Sequence, residues 1–221
     1  MNLLLRSLIA LVVASVTLTS AFAQDIKGDA KAGEKKNATC LGCHAIVGYQ
    51  ASFPEVHKVP KIAGQGEKYI IASLNAYKKG ERKHPTMRGI AVSLSDQDMA
   101  DLAAYFSALG VDANAKPLDK IGGGTSAGEA LLAKGACISC HGDNLNKPID
   151  PSYPLIAGQY NDYLYVALKS YKAEGNAQLG RGNAIMGGVA KQFSNAELKE
   201  LANYVGSLPG TLKTVPQSRF R

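Results

Sequence analysis

Two short motifs carry the side chains with the clearest chemistry in this sequence. Each follows the pattern C-x-x-C-H, with Cys40, Cys43 and His44 in the first and Cys137, Cys140 and His141 in the second. Two thiols three positions apart share one side of a helical turn, so both can bond to vinyl groups of one porphyrin, and the next residue can place an imidazole below the iron. The motifs therefore predict two covalently attached haem c groups, with His44 and His141 as axial ligands of the iron.

Three other uses of such cysteines explain the motifs less well. A thioredoxin-type C-x-x-C pair needs no following histidine and belongs in a βαβ pattern, which the sequence lacks. A zinc ribbon has its two cysteine pairs close together, whereas these begin at residues 40 and 137. Disulfides between the two pairs would leave both histidines without a role.

Residues 1–23 have the pattern of a secretory signal. Arg6 precedes an apolar run from Leu8 to Leu18, and Ala21-Phe22-Ala23 forms a cleavage site. We expect cleavage after Ala23 and a mature protein in the periplasm, and the alternative is an uncleaved membrane anchor. Outside the cytoplasm, the net charge of +7 does not indicate nucleic-acid binding.

The composition is that of an ordinary globular protein, with 46% hydrophobic and 19% charged residues. Four cysteines are too few for a dense disulfide scaffold. Tryptophan is absent and aromatic residues make up only 7%, so two small domains would have thin cores. A porphyrin would supply the missing apolar surface, because small domains bury little by themselves.

The mature chain contains an internal repeat of two similar units. Both copies carry, in the same order, Ala-Gly-Glu, the C-x-x-C-H motif, Pro-x-Ile-Ala-Gly-Gln, two tyrosines and a methionine followed by a capped helix. This repeat predicts a first domain over 24–112, a linker rich in glycine over 113–125 and a second domain over 126–221.

Each domain is predicted to be all-α. Apolar residues recur at helical spacing after two capping boxes that begin at Ser95 and Ser194. A second pair of helices is expected over 67–79 and 161–174, and short helices are expected around the Ala-Gly-Glu segments. No convincing strand alternation is present.

The sixth ligand of each iron decides what the haem can do, because an open position permits chemistry and a methionine favours electron transfer. Met87 and Met186 occupy equivalent positions, in what we interpret as loops ahead of the capped helices. They are therefore predicted as the sixth ligands, although both could also be core residues. Met99 is predicted to lie in the core. His57 and His84 are interpreted as surface histidines, and the alternative for His84, three residues before Met87, is that it competes for the iron.

Together these motifs resemble the dihaem cytochrome c4 family, which has two class I cytochrome c domains in tandem. The resemblance covers essentially the whole mature chain. It implies His/Met ligation of each haem, haem propionates near the domain interface, and carbonyls of Pro60 and Pro154 that accept the Nδ1–H of His44 and His141. It also implies close crossings of helices at Gly33 and Gly128, beside Tyr105 and Tyr204.

The function that this resemblance implies is a periplasmic electron shuttle rather than an enzyme. Its redox partners would be a reductase as donor and a terminal acceptor such as an oxidase. The basic clusters at Lys35/Lys36, Lys78–Lys83 and Arg219/Arg221 are interpreted as solvated surface, and the alternative is that they steer the protein toward an acidic partner or an anionic membrane surface. The main alternative is a cytochrome subunit of a larger complex, for example with a flavoprotein that oxidises sulfide. A dihaem peroxidase or a haem sensor is less well supported, because either needs an iron without methionine.

Overall fold

The computed structural model describes residues 26–112, 126–173 and 175–217. The predicted secretory signal and the predicted linker lie outside these residues. Within them the chain is mostly helical, as predicted. The first half contains α1 (Ala30–Lys36), α2 (Ala38–His44), β1 (Gln50–Ala51), β2 (His57–Lys58), α3 (Glu67–Lys79), α4 (Pro85–Val92) and α5 (Asp96–Ala108). The second half contains α6 (Ala127–Lys134), α7 (Ile138–His141), α8 (Asn161–Lys172), α9 (Ala184–Lys191) and α10 (Asn195–Ser207).

Capping boxes begin the last helix of each half, as the sequence predicts. The Ser95 hydroxyl accepts from the backbone N–H of Asp98, and the Asp98 carboxylate accepts from the backbone N–H of Ser95. Ser194 and Glu197 form the same reciprocal pair at α10. Such caps satisfy backbone donors that an α-helix leaves unpaired at its start. They set where each C-terminal helix begins.

The last helix of each half packs against the first, and a glycine allows the close approach. A Cβ at Gly33 would lie 2.1 Å from the carbonyl oxygen of Asp101, and one at Gly128 would lie 2.4 Å from Cβ of Tyr204. Both crossings are therefore where the family resemblance implies them. Met99 is fully buried in α5, which confirms its assignment to the core.

A small hairpin between α2 and α3 was not predicted. Gln50 and Ala51 pair antiparallel with Lys58 and His57. Strands of two residues are too short to show an alternating pattern in sequence. Within residues 126–173 and 175–217 the second half has no β-strand of two or more residues. The prediction also differs slightly from the structure at α8, because the helix expected over 161–174 ends at Lys172.

The two halves contact each other through side chains and backbone. Lys58 Nζ lies 3.0 Å from the carboxylate of Asp162, and Lys169 Nζ lies 2.8 Å from that of Glu55. Near the C-terminus, the Lys213 backbone N–H donates to the carbonyl oxygen of Ala63 at 3.0 Å. The loops and helices that follow the two cysteine motifs therefore form much of the contact between the halves.

Candidate haem sites

The histidine of each C-x-x-C-H motif lies at the C-terminal end of a short helix, α2 or α7. His44 Nδ1 donates to the carbonyl oxygen of Pro60 at 2.9 Å, and His141 Nδ1 donates to that of Pro154 at 2.8 Å. With Nδ1 protonated, Nε2 is the ring nitrogen left to bind a metal. Burial lowers the pKa of both imidazoles, against an opposing effect of the proline carbonyls. Both rings are therefore held in the neutral form that binds iron.

The four cysteines fit covalent attachment of a porphyrin. All four are half-buried, and none forms a disulfide. Burial raises the pKa of Cys40 and raises that of Cys137 to about 11. These are not the lowered thiol pKa values of a disulfide oxidoreductase. Each pair stands within one helical turn of its histidine, which is the arrangement that one haem requires.

A metal site built from side chains alone is not present in the described part of the chain. There, no group of three or more histidine, cysteine, aspartate or glutamate side chains converges as ion ligands would. A zinc site at the cysteines is therefore not supported. A haem needs less from the protein, because the porphyrin supplies four ligands and each axial position takes one side chain.

Met87 and Met186 lie in helices, so the prediction that they lie in loops is wrong. Each stands in the first turn of an eight-residue helix, α4 or α9. The backbone N–H of Met87 donates to His84 Nδ1 at 3.4 Å, and that of Met186 donates to Asn183 Oδ1 at 2.9 Å. The first helix contains one glycine and the second contains two, which disfavour helix, and the side-chain caps favour it. Both methionines are partly exposed in equivalent positions.

The two remaining histidines are not simple surface residues. His57 is only 4% exposed, and its Nδ1 lies 2.8 Å from the carbonyl oxygen of Glu55. Its ring packs near those of His84 and Tyr163, at centroid distances of 6.5 and 6.2 Å. His84 is half-buried. The surface interpretation of His57 is therefore wrong, because the second half covers the hairpin that carries it.

Sequence reasoning missed a pair of arginines at the contact between the halves. The backbones of Arg82 and Arg181 run antiparallel and pair with each other outside any β-strand. Each guanidinium donates to a tyrosine hydroxyl at 3.1 Å, Arg82 to Tyr69 and Arg181 to Tyr163. A second tyrosine ring flanks each guanidinium, with centroid distances of 5.6 and 5.5 Å. The repeated tyrosines could have signalled the two sites, but the loops that carry the arginines differ in length.

The pKa values of the two equivalent tyrosines shift in opposite directions, although the arginine charges lower both. Burial alone would raise the pKa of Tyr69, but the positive charges of Arg82 and Arg181 lower it to about 8. Burial dominates at Tyr163 and raises its pKa to about 12. Within residues 26–112, 126–173 and 175–217, neither arginine forms an ion pair with a carboxylate. This part of the interface therefore carries concentrated positive charge.

Comparison with known proteins agrees with this arrangement. The family model for cytochrome c matches residues 30–110 and again residues 125–209. Cytochrome c4 of Azotobacter vinelandii is 33% identical over 215 residues, which cover 90% of this chain and 98% of that protein. The crystal structure of reduced recombinant cytochrome c4 from Pseudomonas stutzeri is 31% identical, with a TM-score of 0.58 over 82% of this chain and 100% of that one. A thiosulfate dehydrogenase electron acceptor of Stutzerimonas stutzeri is 29% identical over 192 residues, 82% of this chain and 83% of that protein.

The fold and the sites thus define a protein of two tandem cytochrome c domains, each of which binds covalently attached haem c with its iron. The chain belongs to the dihaem cytochrome c4 family. It is a dihaem c-type electron-transfer cytochrome. None of the helices among the described residues has both the length and the apolar character needed to cross a membrane.

Proposed function

We propose that this protein is a periplasmic electron shuttle that accepts electrons from a membrane reductase and delivers them to a terminal acceptor such as an oxidase. One observation carries the proposal. Each half offers a neutral histidine, half-buried at His44 and buried at His141, and a methionine at the equivalent position of a short capped helix. Two irons with both axial positions filled would exchange electrons without binding a substrate. The protein is therefore proposed to act as a carrier and not as an enzyme.

Each residue of the two sites has a proposed role. The thiols of Cys40 and Cys43, and of Cys137 and Cys140, attach the two porphyrins. His44 and Met87 would be the axial ligands of the first iron, and His141 and Met186 those of the second. When bound, the haem supplies the one-electron chemistry. The proline carbonyls of Pro60 and Pro154 orient the imidazoles and raise their basicity.

The arginines at the interface fit the charge of the haem edge. The family resemblance places the propionates near the contact between the domains. Arg82 and Arg181 bring two positive charges to that contact, and neither pairs with a carboxylate among the residues described. We propose that these guanidinium groups balance the propionate charge.

Part of the basic surface is already engaged within the chain. Lys36 pairs with Asp98 at 2.7 Å and with Asp101 at 2.6 Å, and Lys78 Nζ donates to the Leu94 carbonyl oxygen at 2.6 Å. Exposed Lys79 ends α3, and exposed Arg88 lies in α4, the helix that carries Met87. We propose that they help to attract an acidic redox partner or an anionic membrane surface.

A second candidate function is electron acceptance inside a dedicated enzyme complex. The observation that favours it is the similarity to a protein named thiosulfate dehydrogenase electron acceptor. In that case the same two haems would receive electrons from a catalytic subunit that stays bound. The shuttle and the subunit differ in their partner and not in their haem ligation.

The test uses protein from the organism that produces it. Gel filtration of the periplasmic fraction, followed by haem staining, shows whether the cytochrome elutes alone. Membranes from the same organism are then tested for quinol-dependent reduction and oxygen-dependent reoxidation of the purified protein. A shuttle elutes alone and is turned over in both directions. Co-elution with a dehydrogenase, together with reduction by thiosulfate and not by membranes, would overturn the shuttle in favour of the subunit.

A further inference from the structure

Two buried glutamines form a reciprocal connection between the domains. Gln65 and Gln159 occupy equivalent positions of the repeat, and each is only 4% exposed. Gln65 reaches into the second half, where its Oε1 accepts from the Leu155 backbone N–H at 2.9 Å and its Nε2 donates to the Leu155 carbonyl oxygen at 3.0 Å. Gln159 does the same to Lys61 in the first half, with both distances at 2.9 Å.

The contacted residues directly follow the two prolines. The N–H of Leu155 and the carbonyl of Pro154 belong to the same peptide group, and that carbonyl accepts from Nδ1 of His141 at 2.8 Å. In the first half, the N–H of Lys61 shares a peptide group with the carbonyl of Pro60, which accepts from Nδ1 of His44 at 2.9 Å. Each axial histidine is thus linked through one peptide group to a glutamine of the opposite domain.

Such a chain of hydrogen bonds strengthens its members. An acceptor placed on the N–H of a peptide group polarises the group and makes its carbonyl oxygen a better acceptor. A stronger bond from Nδ1–H to that oxygen makes the imidazole a more electron-rich ligand. A more electron-rich ligand favours ferric over ferrous iron, so it lowers the reduction potential.

The glutamine amides are fixed in the orientation that this requires. Oε1 of Gln65 also accepts from the Gly66 backbone N–H at 2.9 Å, and Oε1 of Gln159 accepts from that of Tyr160 at 3.0 Å. Gly66 and Tyr160 precede the first residues of α3 and α8. Since the partners of each amide oxygen are donors and the partner of each amide nitrogen is an acceptor, a flipped amide would lose these bonds.

We propose that each glutamine is a positioning residue for the axial histidine of the opposite domain. Gln65 acts on His141 and lowers the potential of the haem attached at Cys137 and Cys140, and Gln159 acts on His44 and its haem in the same way. The proposal deepens the proposed function and rests on it only for the haem attachment and the histidine ligands. Packing of the domains thereby adjusts both potentials, because separation of the halves would break both connections.

The test replaces each glutamine by methionine, which has a similar volume and cannot form these hydrogen bonds. Potentials are measured on the dihaem protein by poised titration, with the two haems followed separately through their resolved NMR resonances. In Gln65→Met, we expect the ferrous-to-ferric ratio of the haem at His141 to rise about threefold at a fixed potential, or about 28 mV at about 59 mV per tenfold change. The haem at His44 should not shift. Gln159→Met should give the opposite pattern.

A matched control breaks a different contact between the halves. Glu55→Gln removes the ion pair with Lys169 and takes part in none of the hydrogen bonds of Gln65 or Gln159, so it should not produce a shift confined to the haem of the opposite domain. A shift of the haem in the same domain as the mutated glutamine, an equal shift of both haems, or no shift would overturn the proposal. No reductase, oxidase or other protein partner is used in this titration, so its result can be interpreted even if the shuttle assay fails.

A measurement on the unmutated holoprotein covers the case in which a variant does not fold. If the connections are stable, the backbone amides of Leu155 and Lys61 exchange hydrogen only in openings as rare as those of core amides such as that of Leu102. Fast exchange at either amide in the intact protein would contradict the proposal.

Discussion

Between the histidine of each C-x-x-C-H motif and the proline whose carbonyl it contacts, the two halves follow different paths. The first half folds this segment into the hairpin of β1 and β2. The second half reaches Pro154 through a shorter segment, 142–153, in which the structure has no β-strand. The Nδ1–O distances are nevertheless 2.9 and 2.8 Å. The comparison teaches that the end points which hold the imidazole are kept while the path between them varies.

The surroundings of the equivalent helices also differ. The helix of Met87 is capped by His84 at 3.4 Å, and that of Met186 is capped by Asn183 at 2.9 Å. Asp101 in α5 is buried and accepts from the Asp29 backbone N–H, whereas Glu200 at the equivalent position of α10 is exposed. Two haems with the same proposed ligands therefore have unequal environments, and we expect their potentials to differ.

The largest expected effect follows removal of one cysteine pair, because the two halves should then differ in whether they carry a haem. In the double variant Cys137→Ala and Cys140→Ala, no thioether can form in the second half, so we expect one haem per chain instead of two. The haem content is measured by the pyridine haemochrome assay against protein concentration. The mirror variant at Cys40 and Cys43 is the matched control. Loss of both haems from either variant would contradict independent attachment in the two halves.

Substitution of the glycines at the helix crossings should reveal a smaller difference between the halves, in the stability that each crossing provides. Gly33→Ala places a methyl group against a backbone carbonyl, and Gly128→Ala places one against the side chain of Tyr204. We expect each to lower the free energy of unfolding by about 1–3 kcal/mol, with the larger loss at Gly33, since backbone moves less readily than a side chain. Denaturant unfolding of the holoprotein measures this.

A glycine with open space around it provides the control for these two variants. A Cβ at Gly188 would have no neighbour within 4 Å, so Gly188→Ala should not destabilise the protein. Equal losses for all three variants would show that the close crossings are not the cause.

Acid should reveal a difference between the two C-terminal helices. Lys36, the Asp29 backbone N–H and Gln97 lower the pKa of Asp101 in the folded protein. A folded pKa below the unfolded value of about 3.9 means that the stabilisation is present above about pH 4 and is lost as the pH falls through the folded pKa. Asp101→Asn should therefore flatten the pH dependence of the unfolding free energy below about pH 4. Glu200→Gln, at the exposed equivalent position, is the matched control, and an equal effect of both variants would contradict the explanation.

The smallest expected effect concerns the cap of the helix that carries Met186. Asn183→Ala removes the acceptor for the Met186 backbone N–H, and we expect a loss of about 1 kcal/mol in the free energy of unfolding. Asn183→Ser keeps an acceptor at this position and should recover most of the loss. If serine and alanine are equally destabilising in thermal unfolding, the hydrogen bond does not stabilise the helix.

The features that the sequence predicts well are local. The helix over 67–79 and the caps at Ser95 and Ser194 agree with the structure because spacing and capping residues determine them. The short helices of Met87 and Met186 were missed because each has only eight residues with one or two glycines among them, and because His84 is not a usual cap. Contacts between the halves could not be predicted, because Gln65 and Leu155 are 90 residues apart and no local pattern specifies their pairing. The repeated Pro-x-Ile-Ala-Gly-Gln motif marked the segment without indicating which domain its glutamine contacts.

The central claim is that a histidine and a methionine fill the two axial positions of each haem iron. The visible spectrum of the purified holoprotein tests this claim most directly. The spectrum is recorded oxidised, reduced, and reduced under carbon monoxide, with haem quantified per chain. The account predicts two low-spin c-type haems, both with the far-red sulfur-to-iron band when oxidised and neither with carbon monoxide bound. A high-spin haem, or one that binds carbon monoxide, would contradict the assignment of Met87 or Met186 and make a haem enzyme or sensor the better explanation.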